Sequence, residues 1–438
     1  MQELSKLDIL KILNDWNYWN RDFEEYVPRP DYLDKMKLFR RSGEIIALTG
    51  IRRSGKSTLL KLEMESLAEE RSRNELLYIF FEDPRLSENL NTKTLDLILE
   101  VYRENINPKG EIFLFLDEIQ NVSGWEKWVR TAYELKKARI YITGSSSKLL
   151  SGEIATSIGG RYLRIDVYPL TFSEYLGFMG QKCGNIMEYS ANSAEINRSF
   201  AKYLRYGGFP RIVSVEEDLK KEELISYFNT ILLKDIMARY SLRNYDIIKK
   251  FTEYMLTNDT KQNSVNSISR ALGYNYNTAN DYIDYLKQVY MLFELRNYSY
   301  SLKKQLASDM KYYVTDTGFV NTMSFSFSGN IGRLYENVVF NELKRRNKEM
   351  FFLNENGYEC DFIVQDAGRI TEAYQVCYDL NEDNKKREIK GLLAACSKFG
   401  LDEGVIITES SSGVITEGEI KIKLIPVTLF LLGFDERI

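Results

Sequence analysis

The chain has 438 residues, which at about 150 per domain suggests about three domains. Hydrophobic residues make up 44% and charged residues 28%, and 59 basic against 63 acidic side chains leave a net charge of −4. That balance excludes a globally basic nucleic-acid coat but not a local basic patch. The absence of histidine excludes Ser-His-Asp and Cys-His nucleophilic sites and any imidazole metal ligand. Four cysteines (183, 360, 377, 396) form no CxxC pair, which fits free thiols in a reducing cytosol. The charged N-terminus does not read as a signal peptide, and no apolar run reaches the ~18 residues of a membrane span. The expectation is a cytoplasmic protein with no membrane partner.

Leu7, Leu10, Leu13 and Trp16 fall at helical spacing and predict an N-terminal helical segment over 1–30, closed by Val27-Pro28-Arg29-Pro30. A domain over 31–170 then alternates short apolar runs (44–49, 76–81, 112–116, 139–143, 163–167) with amphipathic segments, notably 56–70 and 124–137. That rhythm predicts an α/β fold with a parallel sheet covered on both faces. Residues 171–260 carry helical periodicity and predict a helical lid or connector. In 261–315, Val265, Ile268 and Leu272, then Gly273, then Ala279, Ile283 and Leu286 predict a helix-turn-helix with a wing, Gly273 being the C-cap. Residues 316–438 predict a helix over 332–346 and strands at 351–355, 358–364 and 370–378, with Asn356-Gly357 as a type I′ hairpin turn.

Within this frame, Gly50-Ile51-Arg52-Arg53-Ser54-Gly55-Lys56-Ser57 matches GxxxxGK[ST] between an apolar strand and a helix that continues through Thr58. The glycines let the backbone turn its N–H groups toward a polyphosphate, with Lys56 reaching the β/γ-phosphates and Ser57 holding Mg²⁺. Asp117 and Glu118 end the strand Ile112–Leu116, where two carboxylates are costly unless used. Asp117 is expected to serve the Mg²⁺ shell and Glu118 to deprotonate the attacking water. ATP and Mg²⁺ are the expected cofactors. Thr143 and Ser145 follow the fourth strand, where a polar group could sense the γ-phosphate. Arg161 precedes the fifth strand, from where an arginine could reach a neighbouring subunit's site in a homo-oligomer.

Several stretches carry a resemblance: TGIRRSGKSTLL (49–60), FLDEIQNVSGWEKWVR (115–130), ITGSSSKLL (142–150), YGGFPRIV (206–213) and YECDFIV (358–364). With them the chain resembles AAA-type ATP-binding proteins that join an N-terminal ATPase to a C-terminal domain of undefined function. The resemblance implies Asp117 and Glu118 as Mg²⁺ and water residues, Thr143 or Ser145 as first sensor, and Arg161 near the arginine-finger position.

The C-terminal segment is similar to the core of restriction-endonuclease-like (PD-(D/E)xK) domains. That similarity implies Glu336, Asp361 and Gln375 as a degenerate site, with Cys377 where the family carries lysine. It points to binding of DNA or a protein partner without cutting; a metal-dependent nuclease is a further alternative. The second helix of the helix-turn-helix carries Asp281 and Asp284 against Lys287, a poor face for phosphates. DNA contact is expected instead through Arg296, Lys303, Lys304 and Lys311, with Tyr298 and Tyr300 interleaved. The expected function is an ATPase driving such a module, with a slow nucleotide-gated scaffold as the alternative.

Overall fold

The computed structural model describes residues 4–147, 159–324 and 331–435, which form two compact units, 1–167 and 168–438. Lys148–Leu150 of the ITGSSSKLL stretch lie outside the described residues.

The first unit opens with α1 (Lys6–Trp16), capped by Ser5 and Asp8 in a reciprocal capping box. Its buried face is Ile9, Ile12 and Leu13, whereas Leu7 is exposed. The predicted stripe was therefore rotated by part of a turn. After the helix, the Asn17 amide exchanges hydrogen bonds with the Tyr78 backbone (2.7 and 2.9 Å), which ties the N-terminal segment to the sheet. Helix α2 (Pro30–Arg40) starts with proline, whose missing N–H costs nothing there.

The sheet strands are β1 (Ile45–Thr49), β2 (Leu76–Phe80), β3 (Phe113–Asp117), β4 (Arg139–Gly144) and β5 (Tyr162–Asp166). They pair in parallel in the order β2-β3-β4-β1-β5. Their apolar runs are buried because helices cover both faces: α3 (Lys56–Ala68), α4 (Thr92–Asn105) and α5 (Trp125–Glu134). The order places β4 between β1 and β3. The carboxyl ends of these three neighbours therefore converge on one edge of the sheet.

The second unit begins with helices, including Phe172–Phe178 and Ile186–Tyr206. The helices Val265–Leu272 and Tyr276–Gln288 follow, with Gly273 capping the first by donating its N–H to the Ser269 carbonyl. Beside them lies a three-stranded sheet of β6 (Gln262–Asn263), β7 (Leu292–Arg296) and β8 (Met310–Val314), in the order β6-β8-β7. The helix Ile331–Arg345 leads into a six-stranded mixed sheet. Its strands are β9 (Glu349–Glu355), β10 (Tyr358–Asp366), β11 (Arg369–Val376), β12 (Glu403–Thr408), β13 (Gly413–Glu417) and β14 (Ile420–Pro426). Strands β9 to β11 are antiparallel, and β11, β12 and β14 run parallel. Asn356 (φ 53°) and Gly357 (φ 81°) turn β9 into β10, the paired left-handed conformation a two-residue hairpin needs.

Candidate functional site

The loop between β1 and α3 curls through three left-handed or mirror positions: Gly50 (φ 150°), Arg53 (φ 70°) and Gly55 (φ 99°). At Gly50 no side chain fits, since a Cβ would stand 2.0 Å from the Val167 carbonyl oxygen. Lys56 is buried, donating to the carbonyls of Gly50 (3.0 Å) and Ile51 (3.1 Å). The Ser54 hydroxyl is buried with no hydrogen-bond partner among the described residues. Arg52 is held away by a two-pronged bond to Glu82 (2.8 and 3.0 Å). Arg29 comes from the Pro-flanked segment and donates to the Ser54 carbonyl at 3.0 Å. It was not foreseen from sequence, and only its position between two prolines marked it.

Asp117 ends β3 fully buried. It accepts from the Tyr78 hydroxyl at 2.6 Å and from the Thr143 hydroxyl. Thr143 in turn accepts the Glu118 backbone N–H at 2.9 Å. Thr143 thus positions both acids from β4. Ser145 is buried on the same edge. Glu118 takes a left-handed turn (φ 58°) that swings its carboxylate to 4.0 Å from Lys56. Burial pushes its pKa up against the pull of Lys56, which suits a proton acceptor better than a fully solvated acid would be.

Loop amides, the orphaned Ser54 hydroxyl and the Gly50 cradle fit a polyphosphate. Ser57 and Asp117 are oxygen donors of the kind Mg²⁺ takes.

Arg161 does not join this cluster. It precedes β5, and its carbonyl accepts the Ile45 N–H at the start of β1, with its guanidinium paired to Glu134 at 2.9 Å. That is the opposite edge of the sheet, a strand length of roughly 15 Å away. Within its own chain Arg161 therefore stands away from the loop.

In the second unit, Glu336, Asp361 and Gln375 do come together. Gln375 accepts from the Asp361 N–H (3.2 Å) and donates to Glu388 (2.7 Å). Cys377 is buried, its thiol pushed up to about 12 mainly by burial. Lys311 on β8 stands 3.0 Å from Glu336, 3.0 Å from Asp361 and 2.8 Å from Glu359. Lys311 is therefore sequestered and is not the exposed DNA contact expected of it; Arg296 is likewise tied to Glu294 at 3.0 Å. Glu336 also accepts from Tyr313 (2.7 Å), and burial lifts its pKa to about 7.

The comparisons with known proteins agree with the first site. Residues 42–176 match the family described as AAA domain, so this part is an ATP-binding AAA-type NTPase domain. Residues 197–329 match a domain of unknown function (DUF8612). The chain is 36% identical to the uncharacterized protein MJ1544 of Methanocaldococcus jannaschii over 439 residues, 96% of this chain and 92% of that one, and it belongs to the same family. It is 29% identical to an uncharacterized protein of Haemophilus influenzae over 83% of this chain and 89% of that one. Among solved structures, AMPPCP-bound DnaA from Aquifex aeolicus aligns over 63% of this chain and 92% of that one, at 15% identity and TM-score 0.28. No described helix is long and apolar enough to cross a membrane.

Proposed function

We propose that the chain is an Mg²⁺-dependent ATPase of the AAA+ class whose second unit is a DNA-binding module driven by ATP binding and hydrolysis. The observation that carries this reading is the meeting of Lys56, Asp117, Thr143 and Glu118 on one edge of the parallel sheet. There the loop amides and Lys56 bind the β/γ-phosphates, and Glu118 takes the proton of the attacking water as the β–γ bridge breaks and ADP leaves. Mg²⁺, when bound by Ser57 and Asp117, neutralises phosphate charge. Thr143 holds the acids in place, and Ser145 is the alternative sensor of the γ-phosphate. Arg161 would act only in trans, in a homo-oligomer that brings its edge to a neighbour's loop.

The test is turnover of purified protein with and without DNA. Mg²⁺-dependent hydrolysis that Lys56→Ala abolishes, and that DNA stimulates in a salt-sensitive way, is expected. Hydrolysis unchanged in Lys56→Ala would sink the assignment.

A second reading, a slow nucleotide-gated scaffold for a protein partner, is favoured by one feature. On the helix Tyr276–Gln288, Lys287 is committed to Asp284 and Glu294, so that face offers phosphates no free cation among Asp281, Asp284 and Lys287. Its signature is tight ATP binding with DNA-independent turnover.

A further inference from the structure

The second unit contains a cavity of about 1180 Å³ whose floor is the Lys311 cluster. An ammonium has three protons, and here three carboxylates, Glu336, Glu359 and Asp361, each stand within 3.0 Å of it. Burial opposes the charge on Lys311, but these acids outweigh it and hold the ammonium protonated. The point where the carboxylates converge, ordinarily suited to a divalent cation, is occupied by a side chain of the protein itself. Consistently, among the described residues no group of three or more acidic or thiol side chains is arranged to hold a metal ion.

The rim of the same cavity is differently built. Lys261 and Arg333 both line it, and the lysine's charge is disfavoured first by burial and then by the arginine. Lys386 and Lys390 lie one helical turn apart on the helix Glu382–Phe399, an i,i+4 pair of like charges that repel. Lys261 donates only to the Asn258 amide at 3.0 Å, and no described carboxylate forms an ion pair with any of these four cations. The lining also holds Asp383, and Arg387 paired with Glu388, so beyond the acidic floor cations outnumber acids and an anion would relieve the like-charged pairs. The cavity is too large for a single phosphate.

We propose that this cavity binds the phosphates of a nucleic-acid strand without a divalent metal, Lys311 serving as a resident cation that quenches the acidic floor while Lys261, Arg333, Lys386 and Lys390 grip the backbone. The inference rests on the reading of the second unit as a DNA-binding module, and it adds the place and the chemistry.

The test is fluorescence anisotropy of a short labelled single-stranded oligonucleotide with the full chain, free of nucleotide, in EDTA and in Mg²⁺. Affinity in EDTA at least as tight as in Mg²⁺ is expected. Lys386→Ala/Lys390→Ala should weaken binding about tenfold or more and lower the log–log salt slope by about 1.4. Lys311→Met should weaken binding in EDTA, and Mn²⁺ should restore it. Lys386 and Lys390 are exposed, so the double variant carries the test even if Lys311→Met does not fold.

Binding that requires Mg²⁺, or an affinity that the double variant leaves unchanged, overturns the proposal. So does displacement of the strand by equimolar pyrophosphate, which would make a small phosphate compound the ligand. DNA-stimulated turnover together with unchanged strand affinity in the double variant would overturn this site alone and leave the ATPase reading intact.

Discussion

Lys56 and Lys311 are both buried lysines beside carboxylates, yet their surroundings make them opposites. Lys56 rests on two main-chain carbonyls, with Glu118 at 4.0 Å. Lys311 is clamped by three carboxylates at 2.8–3.0 Å. Neutral carbonyls solvate an ammonium without cancelling its charge, so an incoming phosphate still gains from it. Carboxylates at contact distance cancel the charge and fix its position. The first lysine is a ligand group in waiting; the second is part of the architecture.

The largest effect that could break this contrast is on turnover. Glu118→Gln keeps the shape of the first site and removes its proton acceptor, so the rate of ATP hydrolysis should fall about 10²- to 10⁴-fold while nucleotide binding persists. Single-turnover kinetics beside a binding titration would separate the two. Equal turnover in variant and wild type would show that Glu118 does not activate water.

Next in size is stability. Lys311→Met leaves buried Asp361 and half-buried Glu336 without their cation, and removing one partner of a buried pair costs about 3–5 kcal/mol. Urea unfolding followed on the second unit's tyrosines would read it. The matching change at Lys56 should cost less, because it leaves two carbonyls and one carboxylate, Glu118 at 4.0 Å, rather than three carboxylates at contact distance. Equal losses at the two lysines would erase the distinction.

The two sites were unequally legible before the structure was known. The apolar runs of β1 to β4 announce a parallel sheet, and the nucleotide loop lies in eight consecutive residues, so its chemistry can be read from spacing alone. The Lys311 cluster draws on residues 311, 336, 359 and 361, and two sheets bring these segments together. The resemblance left position 377, a cysteine, without the family's lysine, but nothing local to Lys311 said that β8 would carry an ammonium in. Arg161 is a separate case. Its place before β5 was read correctly, but the parallel order puts the start of that strand on the edge away from the loop.

The acid cluster should also leave a mark on the pH dependence of folding. Glu336 titrates at about 7 in the folded chain against an ordinary value of 4.5, chiefly through burial. The folded state therefore holds a proton that the unfolded state has released. Its contribution to stability is complete below about pH 4.5 and is lost as pH rises through about 7, roughly 3 kcal/mol in all. Unfolding free energies across that window should fall with pH in the wild type and fall less steeply in Glu336→Gln, where Asp316, also lifted to about 7 by burial, keeps part of the slope. An unchanged slope would place the titrating proton elsewhere.

The smallest effect concerns the first site and sharpens the comparison from its other side. Among the described residues no cationic side chain forms an ion pair with Asp117; two hydroxyls, from Tyr78 and Thr143, hold it in the dry end of the sheet. Tyr78→Phe removes one of them with little change of volume. The carboxylate then loses a fixed orientation rather than a countercharge, and partners that orient a metal-binding carboxylate are worth about tenfold or more in metal affinity. The Mg²⁺ concentration for half-maximal turnover should rise by about tenfold, with the rate at saturating Mg²⁺ nearly unchanged. A fall in the saturated rate with no change in Mg²⁺ requirement would mean that Tyr78 acts on Glu118 instead, and that hydroxyls and cations are not interchangeable ways of holding an acid in this chain.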